Sequence, residues 1–248
     1  MKKKSSFLKR ILLVIAYISS FTNAGFAQTT PVTATAAKPP AVYPPGFMDS
    51  TYRPKITADS IASFKAHPIT SNDIVFLGNS ITAHCNWAKL FNNPLARNRG
   101  ISGDLTFGVL DRLDEVIAGQ PKKVFILIGI NDMSRNVPDS IITRNHKKMI
   151  ERIRAGSPKT QIYFCTLLPV NASFGKFPNH YGKDDHLLAI NEAIKKLKAK
   201  NVTIIDLYPN FLDSENHLKA EYTADGLHPN DAGYQVWVKV FEKGKYLQ

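Results

Sequence analysis

Short, continuously apolar runs alternate with amphipathic stretches from residue 73 to the end of the chain. The first run is Ile74-Val75-Phe76-Leu77, followed at once by Gly78-Asn79-Ser80. A run that is apolar at every position and bounded by turn residues is the pattern of a strand buried on both faces. Residues Ile81 to Phe91 predict a helix behind it, and Leu95–Asn98 a short second strand. Leu105, Val109, Leu110, Leu113, Val116 and Ile117 then recur at helical spacing. Lys123-Val124-Phe125-Ile126-Leu127-Ile128-Gly129 is the clearest strand. Pro138 stands where a first helical turn tolerates proline, and that helix runs to Gly156 and Pro158. Residues 161–166 predict a fourth strand. A loop over 167–182 follows, broken by Pro169, Gly175, Pro178 and Gly182. An amphipathic helix over 184–200, a fifth strand over 202–206, a second loop to Pro229 and a last helix complete the chain. Strands alternating with helices predict an α/β fold, a parallel sheet covered on both faces through right-handed crossovers.

Before residue 73 the pattern differs. Residues 1–27 carry Lys2, Lys3, Lys4, Lys9 and Arg10, then an apolar stretch from Ile11 to Ile18, then small residues at Gly25 and Ala27. That is the pattern of a secretory signal peptide cut after Ala27. The apolar stretch falls short of the ~20 residues that a spanning helix needs, so no stable membrane span is expected once the signal is cleaved; an uncleaved anchor is the alternative. Residues 28–46, rich in Thr, Ala and Pro, predict a linker. Residues 47–248 then form one domain with a lead-in over 47–72, where Thr57 to Phe64 predicts a short helix. The expected localisation is export, to the periplasm or the medium.

Composition changes this picture in two places. The formal net charge is +12, but five of those positive charges lie in residues 1–27, which leaves a moderately basic +7. No basic run interleaved with aromatics follows, which argues against nucleic acid as a partner. Two cysteines, Cys85 and Cys165, fall within a helix and an apolar strand, so two buried free thiols are expected in preference to one disulfide.

Ser80 stands at a strand-to-helix turn, on the carboxyl edge of the sheet, where open α/β sheets place their ligands. A serine hydroxyl is a weak nucleophile and needs a base, and the base needs an orienting group. Asp225-Gly226-Leu227-His228-Pro229 offers both within one turn. Acyl transfer also develops an oxyanion, which needs donors aimed at it. The Ser80 N–H, Gly103 in a turn after the second strand and the Asn131 side chain after the third strand are the candidates. In a parallel sheet those strand ends meet at one edge. Alone, Ser80 reads as a helix cap, and Asp225 as a turn residue. His84, four residues beyond Ser80, is a rival base, although a base on that helix is expected to look away from the strand edge. His180, Asp184, Asp185 and His186 read as a solvated loop and helix start in preference to a metal site. Phe174, Phe177, His180 and Tyr181 are candidates for one wall of a substrate pocket.

The segments Gly78-Asn79-Ser80, Gly100-Ile101-Ser102-Gly103-Asp104, Gly129-Ile130-Asn131-Asp132 and Asp225-Gly226-Leu227-His228-Pro229 resemble the ordered blocks of the SGNH, or GDSL-like, hydrolases. The chain is most similar to their platelet-activating-factor-acetylhydrolase-like and carbohydrate acetylesterase branches. The resemblance covers residues 73–241. It implies a flavodoxin-like three-layer sandwich with a five-stranded sheet in the order 2-1-3-4-5. It also implies Ser80 as nucleophile, Asp225 and His228 as the rest of a triad, Ser80, Gly103 and Asn131 as oxyanion donors, and no metal or organic cofactor. Asn79 departs from the aspartate of the family name. Asp104 and Asp132 are expected to support the turns. The function implied is a serine esterase cutting short acyl groups, acetyl above all, from a carbohydrate or other small-molecule ester. A lysophospholipase or thioesterase with the same machinery and a non-catalytic glycan-binding domain are the alternatives.

Overall fold

The computed structural model describes residues 49–248; the expected signal peptide and linker lie outside the described residues. Strands β1 (Ile74–Gly78), β2 (Ala96–Gly100), β3 (Lys123–Leu127), β4 (Gln161–Cys165) and β5 (Val202–Ile205) form one sheet. Every pairing is parallel and the order is β2-β1-β3-β4-β5. Every residue of β1 and β3 is buried, as their unbroken apolar runs require of central strands.

Alternate residues of these strands serve opposite layers. Phe76 and Phe125 face each other in register and stack at 5.0 Å. Trp87 covers Phe76 at 4.1 Å, and Phe241 lies 4.8 Å from Phe125. This aromatic layer seats two helices, α3 (Trp87–Leu90) and the long C-terminal helix (Asp231–Lys243), on one face of the sheet. Its burial fixes the last helix, which follows the Asp225–His228 turn.

Helices α1 (Thr57–Ala66), α2 (Ser80–Ala83), α4 (Thr106–Asp111), α5 (Leu113–Gly119), α6 (Ile130–Ser134), α7 (Asp139–Gly156) and α8 (Asp184–Lys195) complete the described helices, and Asp231–Lys243 is α9. Three expectations are corrected. The helix predicted from Ile81 to Phe91 is two short ones. The carbonyls of Thr82, Ala83 and Cys85, at the break, turn to the Asn98 side-chain amide at 2.9, 3.1 and 2.9 Å. The helix predicted across Leu105–Ile117 breaks at Arg112. That guanidinium is buried and reaches the Asp104 carboxylate (3.0 Å), the Arg99 carbonyl (2.8 Å) and the Gly78 carbonyl (2.9 Å). A buried charge is tolerated only when paired in this way. The predicted helix over 184–200 stops at Lys195. Cys85 and Cys165 are both buried and free, and burial pushes the Cys85 thiol up to about 12.

Candidate active site

Because the sheet is parallel, the ends of β1, β2 and β3 open on one edge. Ser80 begins α2 directly after β1. Asn79 caps that helix, its side-chain oxygen accepting the Ile81 N–H at 3.0 Å. Gly78 leaves no room for a side chain, since a Cβ there would lie 2.3 Å from both the Leu127 carbonyl and the Thr82 hydroxyl. The Ser80 turn is thus pressed onto β3.

The Ser80 hydroxyl lies 2.8 Å from His228 Nε2, across 148 residues of chain. His228 Nδ1 lies 2.7 Å from Asp225 Oδ2. The carboxylate can only accept, so Nδ1 carries the proton and Nε2 is free to accept from the serine. Asp225 is held in turn. Its Oδ1 accepts the backbone N–H groups of Leu227 (2.9 Å) and His228 (2.8 Å). Partial burial pushes its carboxyl up, but these bonds, with those from the His228 backbone and ring, outweigh burial and hold it below the usual range. Tyr234 on α9 donates to the Ile81 carbonyl at 2.7 Å, tying the helix behind His228 to the helix of Ser80.

Asn131 sits in the first turn of α6, immediately after β3, and is buried. Its Nδ2 donates to the Asp104 carbonyl at 3.0 Å and its Oδ1 lies 3.1 Å from His180 Nε2. Gly103 occupies the left-handed region at φ 80° in the turn closed by the Asp104 N–H to Ile101 carbonyl bond (3.1 Å). Ser80, Gly103, Asn131 and His228 line one cleft of about 550 Å³. One cleft is therefore lined by a hydroxyl, an oriented imidazole, an amide and two backbone positions, which is the equipment for attack on a carbonyl.

Asp104 and Asp132 lie behind it. Asp104 accepts the Leu105 N–H and the Arg112 guanidinium, both at 3.0 Å. Asp132 is fully buried and accepts the Thr106 N–H (3.0 Å) and hydroxyl (2.6 Å), which joins α6 to α4. Burial pushes its carboxyl up to about 7, against those hydrogen bonds. His146 of α7 lies beneath the same turn and donates from Nε2 to the Ile128 carbonyl at 2.9 Å. Burial lowers this imidazole to about 4, only partly opposed by that carbonyl. Between about pH 6.5 and 4 the unfolded chain binds a proton there that the native chain does not, so stability falls as pH falls through that window. The slope from this group is at most about 1.4 kcal/mol per pH unit. Urea unfolding across that range is expected to show a shallower decline in His146→Gln than in the parent. The comparison separates His146 from Asp132, whose raised pKa gives a slope of the opposite sign. Equal slopes would remove His146 as a source.

One expectation at the cleft is corrected and another is met in part. His84 does not look away from the strand edge. It lies one turn after Ser80, hence on the same side of α2, and the helix ends there. Its ring stands 4.9 Å from that of His228 and its Nε2 lies 3.3 Å from the Ser102 hydroxyl. Burial first, then the positive charge of His228, lowers its pKa. The serine nevertheless pairs with His228. The 167–182 loop forms the expected wall of the cleft through Phe177 and His180, whereas Phe174 and Tyr181 do not line it. Lys176, Phe177, Pro178, Asn179 and His180 line it, and the Phe177 ring stands edge-on to His228 at 5.3 Å. His180 and His186 take separate partners, Asn131 and Asp139, and among the described residues no group of acidic, histidine or cysteine side chains is arranged to hold a metal ion.

Known proteins share this arrangement of strands and turns. Platelet-activating factor acetylhydrolase IB subunit alpha1 of Rattus norvegicus is 28% identical over 170 residues, which is 65% of this chain and 70% of the relative. The structure of a Bacteroides fragilis protein assigned to the acylhydrolases is 26% identical, with a TM-score of 0.68 over 79% of this chain and all of that one. The acetylxylan esterase Axe2 of Geobacillus stearothermophilus, 20% identical, shares the fold at a TM-score of 0.54 over 71% of this chain and 94% of its own. The GDSL-like Lipase/Acylhydrolase family model matches residues 76–236, from the heart of β1 to the middle of α9, and the chain belongs to that family.

Proposed function

We propose that this acylhydrolase is an exported serine esterase that removes acetyl groups from oxygen esters of a carbohydrate. The observation that carries the reading is the unbroken chain from the Ser80 hydroxyl through His228 to Asp225, at 2.8 and 2.7 Å, beside the Asn131 amide. Ser80 Oγ attacks the ester carbonyl while its proton passes to His228 Nε2. The oxyanion is held by the Ser80 and Gly103 N–H groups and by Asn131 Nδ2. The carbon–oxygen bond to the alcohol breaks as His228 returns the proton to the leaving oxygen. Water then gives a proton to His228 and attacks the acyl-serine, releasing the acid and restoring Ser80. Asp225 keeps Nδ1 protonated and stabilises the transient imidazolium.

The acyl preference is supported by the walls. The cleft is open, and Ser102, Ser134, Arg135, Lys176 and Asn179 interrupt its apolar surface. A long acyl chain would leave these polar groups desolvated and unpaired. Tyr52, its ring stacked with the Arg135 guanidinium, and Phe177 add aromatic surface beside hydrogen-bonding groups, a combination that suits a sugar ring. The rat relative is named an acetylhydrolase, which accords with a short acyl group. Export is supported by the basic, then apolar, then small-residue pattern of residues 1–27.

Initial rates on p-nitrophenyl acetate, butyrate and octanoate test the reading. The expected kcat/KM falls at least about tenfold from acetate to octanoate. A rise with chain length would favour a lysophospholipase or thioesterase. Absence of turnover on all three and on acetylated xylose between pH 6 and 9 would favour a glycan-binding domain.

A further inference from the structure

The Asn131 amide is held at both ends. One Nδ2 hydrogen goes to the Asp104 carbonyl at 3.0 Å, and Oδ1 meets His180 Nε2 at 3.1 Å. An amide oxygen can only accept, so the proton of the second bond sits on His180 Nε2. The other ring nitrogen, Nδ1, is buried with no hydrogen-bond partner. The imidazole is therefore the neutral Nε2–H tautomer. Burial, followed by the charges of His228 and Lys183, lowers its pKa to about 4, so it stays neutral when His228 takes a proton.

We propose that His180 is a positioning residue for the oxyanion donor, its Nε2–H orienting and polarising the Asn131 amide. Rotating that amide by half a turn would set Oδ1 against the Asp104 carbonyl and Nδ2 against the His180 N–H. Both contacts oppose the flip and leave the second Nδ2 hydrogen for the substrate. Donation into Oδ1 also strengthens Nδ2 as a donor, since linked hydrogen bonds polarise one another. The loop is built to hold the ring there. At one end the Asn171 N–H bonds the Gly226 carbonyl, within the turn of Asp225 and His228, at 2.8 Å. At the other, Lys183 Nζ donates to the Met133 carbonyl and Asn136 Oδ1, at 2.6 and 2.8 Å, around the helix that carries Asn131. Between them the Phe177 N–H bonds the Tyr181 hydroxyl at 3.0 Å. The 171–182 loop thus joins the imidazole half of the site to the oxyanion half, a tie that a mere pocket wall would not require.

This inference rests on the reading of Asn131 as an oxyanion donor, and a double-mutant cycle on p-nitrophenyl acetate tests the two separately. Asn131→Ala is expected to lower kcat by about 10²-fold or more. His180→Leu is expected to lower kcat about tenfold with KM changed less than about twofold, since the donor is weakened and not removed. His180→Gln keeps an N–H at that reach and is expected to recover most of the loss. In the Asn131→Ala background, His180→Leu should change kcat by less than about twofold. A tenfold loss in both backgrounds would refute the positioning role and leave His180 as wall. Full activity in Asn131→Ala would instead refute the oxyanion reading itself. Should His180→Leu fail to fold, His180→Met, which fills the space flexibly without a donor, takes its place in the cycle.

Discussion

Ser80→Ala is expected to reduce turnover of p-nitrophenyl acetate by about 10⁴-fold or more. The hydroxyl is the only side chain in the proposed mechanism that forms a bond to carbon, so no other side chain of the cleft replaces it. Its side-chain hydrogen bond is the one to His228. Asn79 caps the helix and Arg112 satisfies the Gly78 carbonyl whether or not the hydroxyl is present. The melting temperature should therefore move by no more than a few degrees. The residual rate should exceed that of water, because the oxyanion donors remain. A variant that keeps a tenth of the parent's kcat would exclude Ser80 as the nucleophile. His84, whose ring lies beside that of His228, would then be the first alternative group to examine.

Asp225→Asn is expected to cost about 10⁴-fold in kcat while leaving the fold intact. The replacement preserves an acceptor at the Oδ1 position, so the turn keeps its bonds from the Leu227 and His228 N–H groups. At the Oδ2 position an amide now donates to His228 Nδ1 in place of accepting from it. That moves the imidazole proton to Nε2, and the nitrogen facing Ser80 becomes a donor that cannot take the serine's proton. Asp225→Ala removes both functions and should in addition lower the melting temperature, since two turn N–H groups lose their acceptor. Equal melting temperatures for the two variants would argue that the Oδ1 bonds contribute little. A kcat within tenfold of the parent in Asp225→Asn would show that the tautomer is set by something other than this carboxylate.

Much of the architecture is legible in local sequence. The runs at 74–77 and 124–127 are apolar at every position, which suits only strands covered on both faces, and they belong to two of the three inner strands. The helices were less legible where polar residues interrupt them for tertiary reasons. Arg112 lies in an otherwise amphipathic helical pattern, and the break there follows from carbonyls of β1 and β2 that sit near it only in the folded chain. Asn98 reads as a strand end, yet its amide collects three carbonyls from a segment more than ten residues earlier.

His180 and His84 show the same division at the cleft. The sequence marks His84 as a rival base on a helix and His180 as a candidate pocket wall, but nothing local shows which side chain either one meets. His180 acquires its partner 49 residues away through a loop pinned to two elements. His84 faces His228 because α2 ends after one turn, an ending that depends on Asn98.

Taken alone, the sequence determined which residues could carry acyl-transfer chemistry and that Ser80, Gly103 and Asn131 follow strand ends, because short apolar runs and turn motifs are local signals. A parallel sheet collects those ends on one edge whatever the connecting helices are. The tertiary structure decided how the groups meet: Ser80 with His228 across 148 residues, Asn131 between Asp104 and His180, and a polar loop over the cleft. Those contacts depend on packing and hydrogen bonds between distant segments, whose geometry exists only once the core has formed.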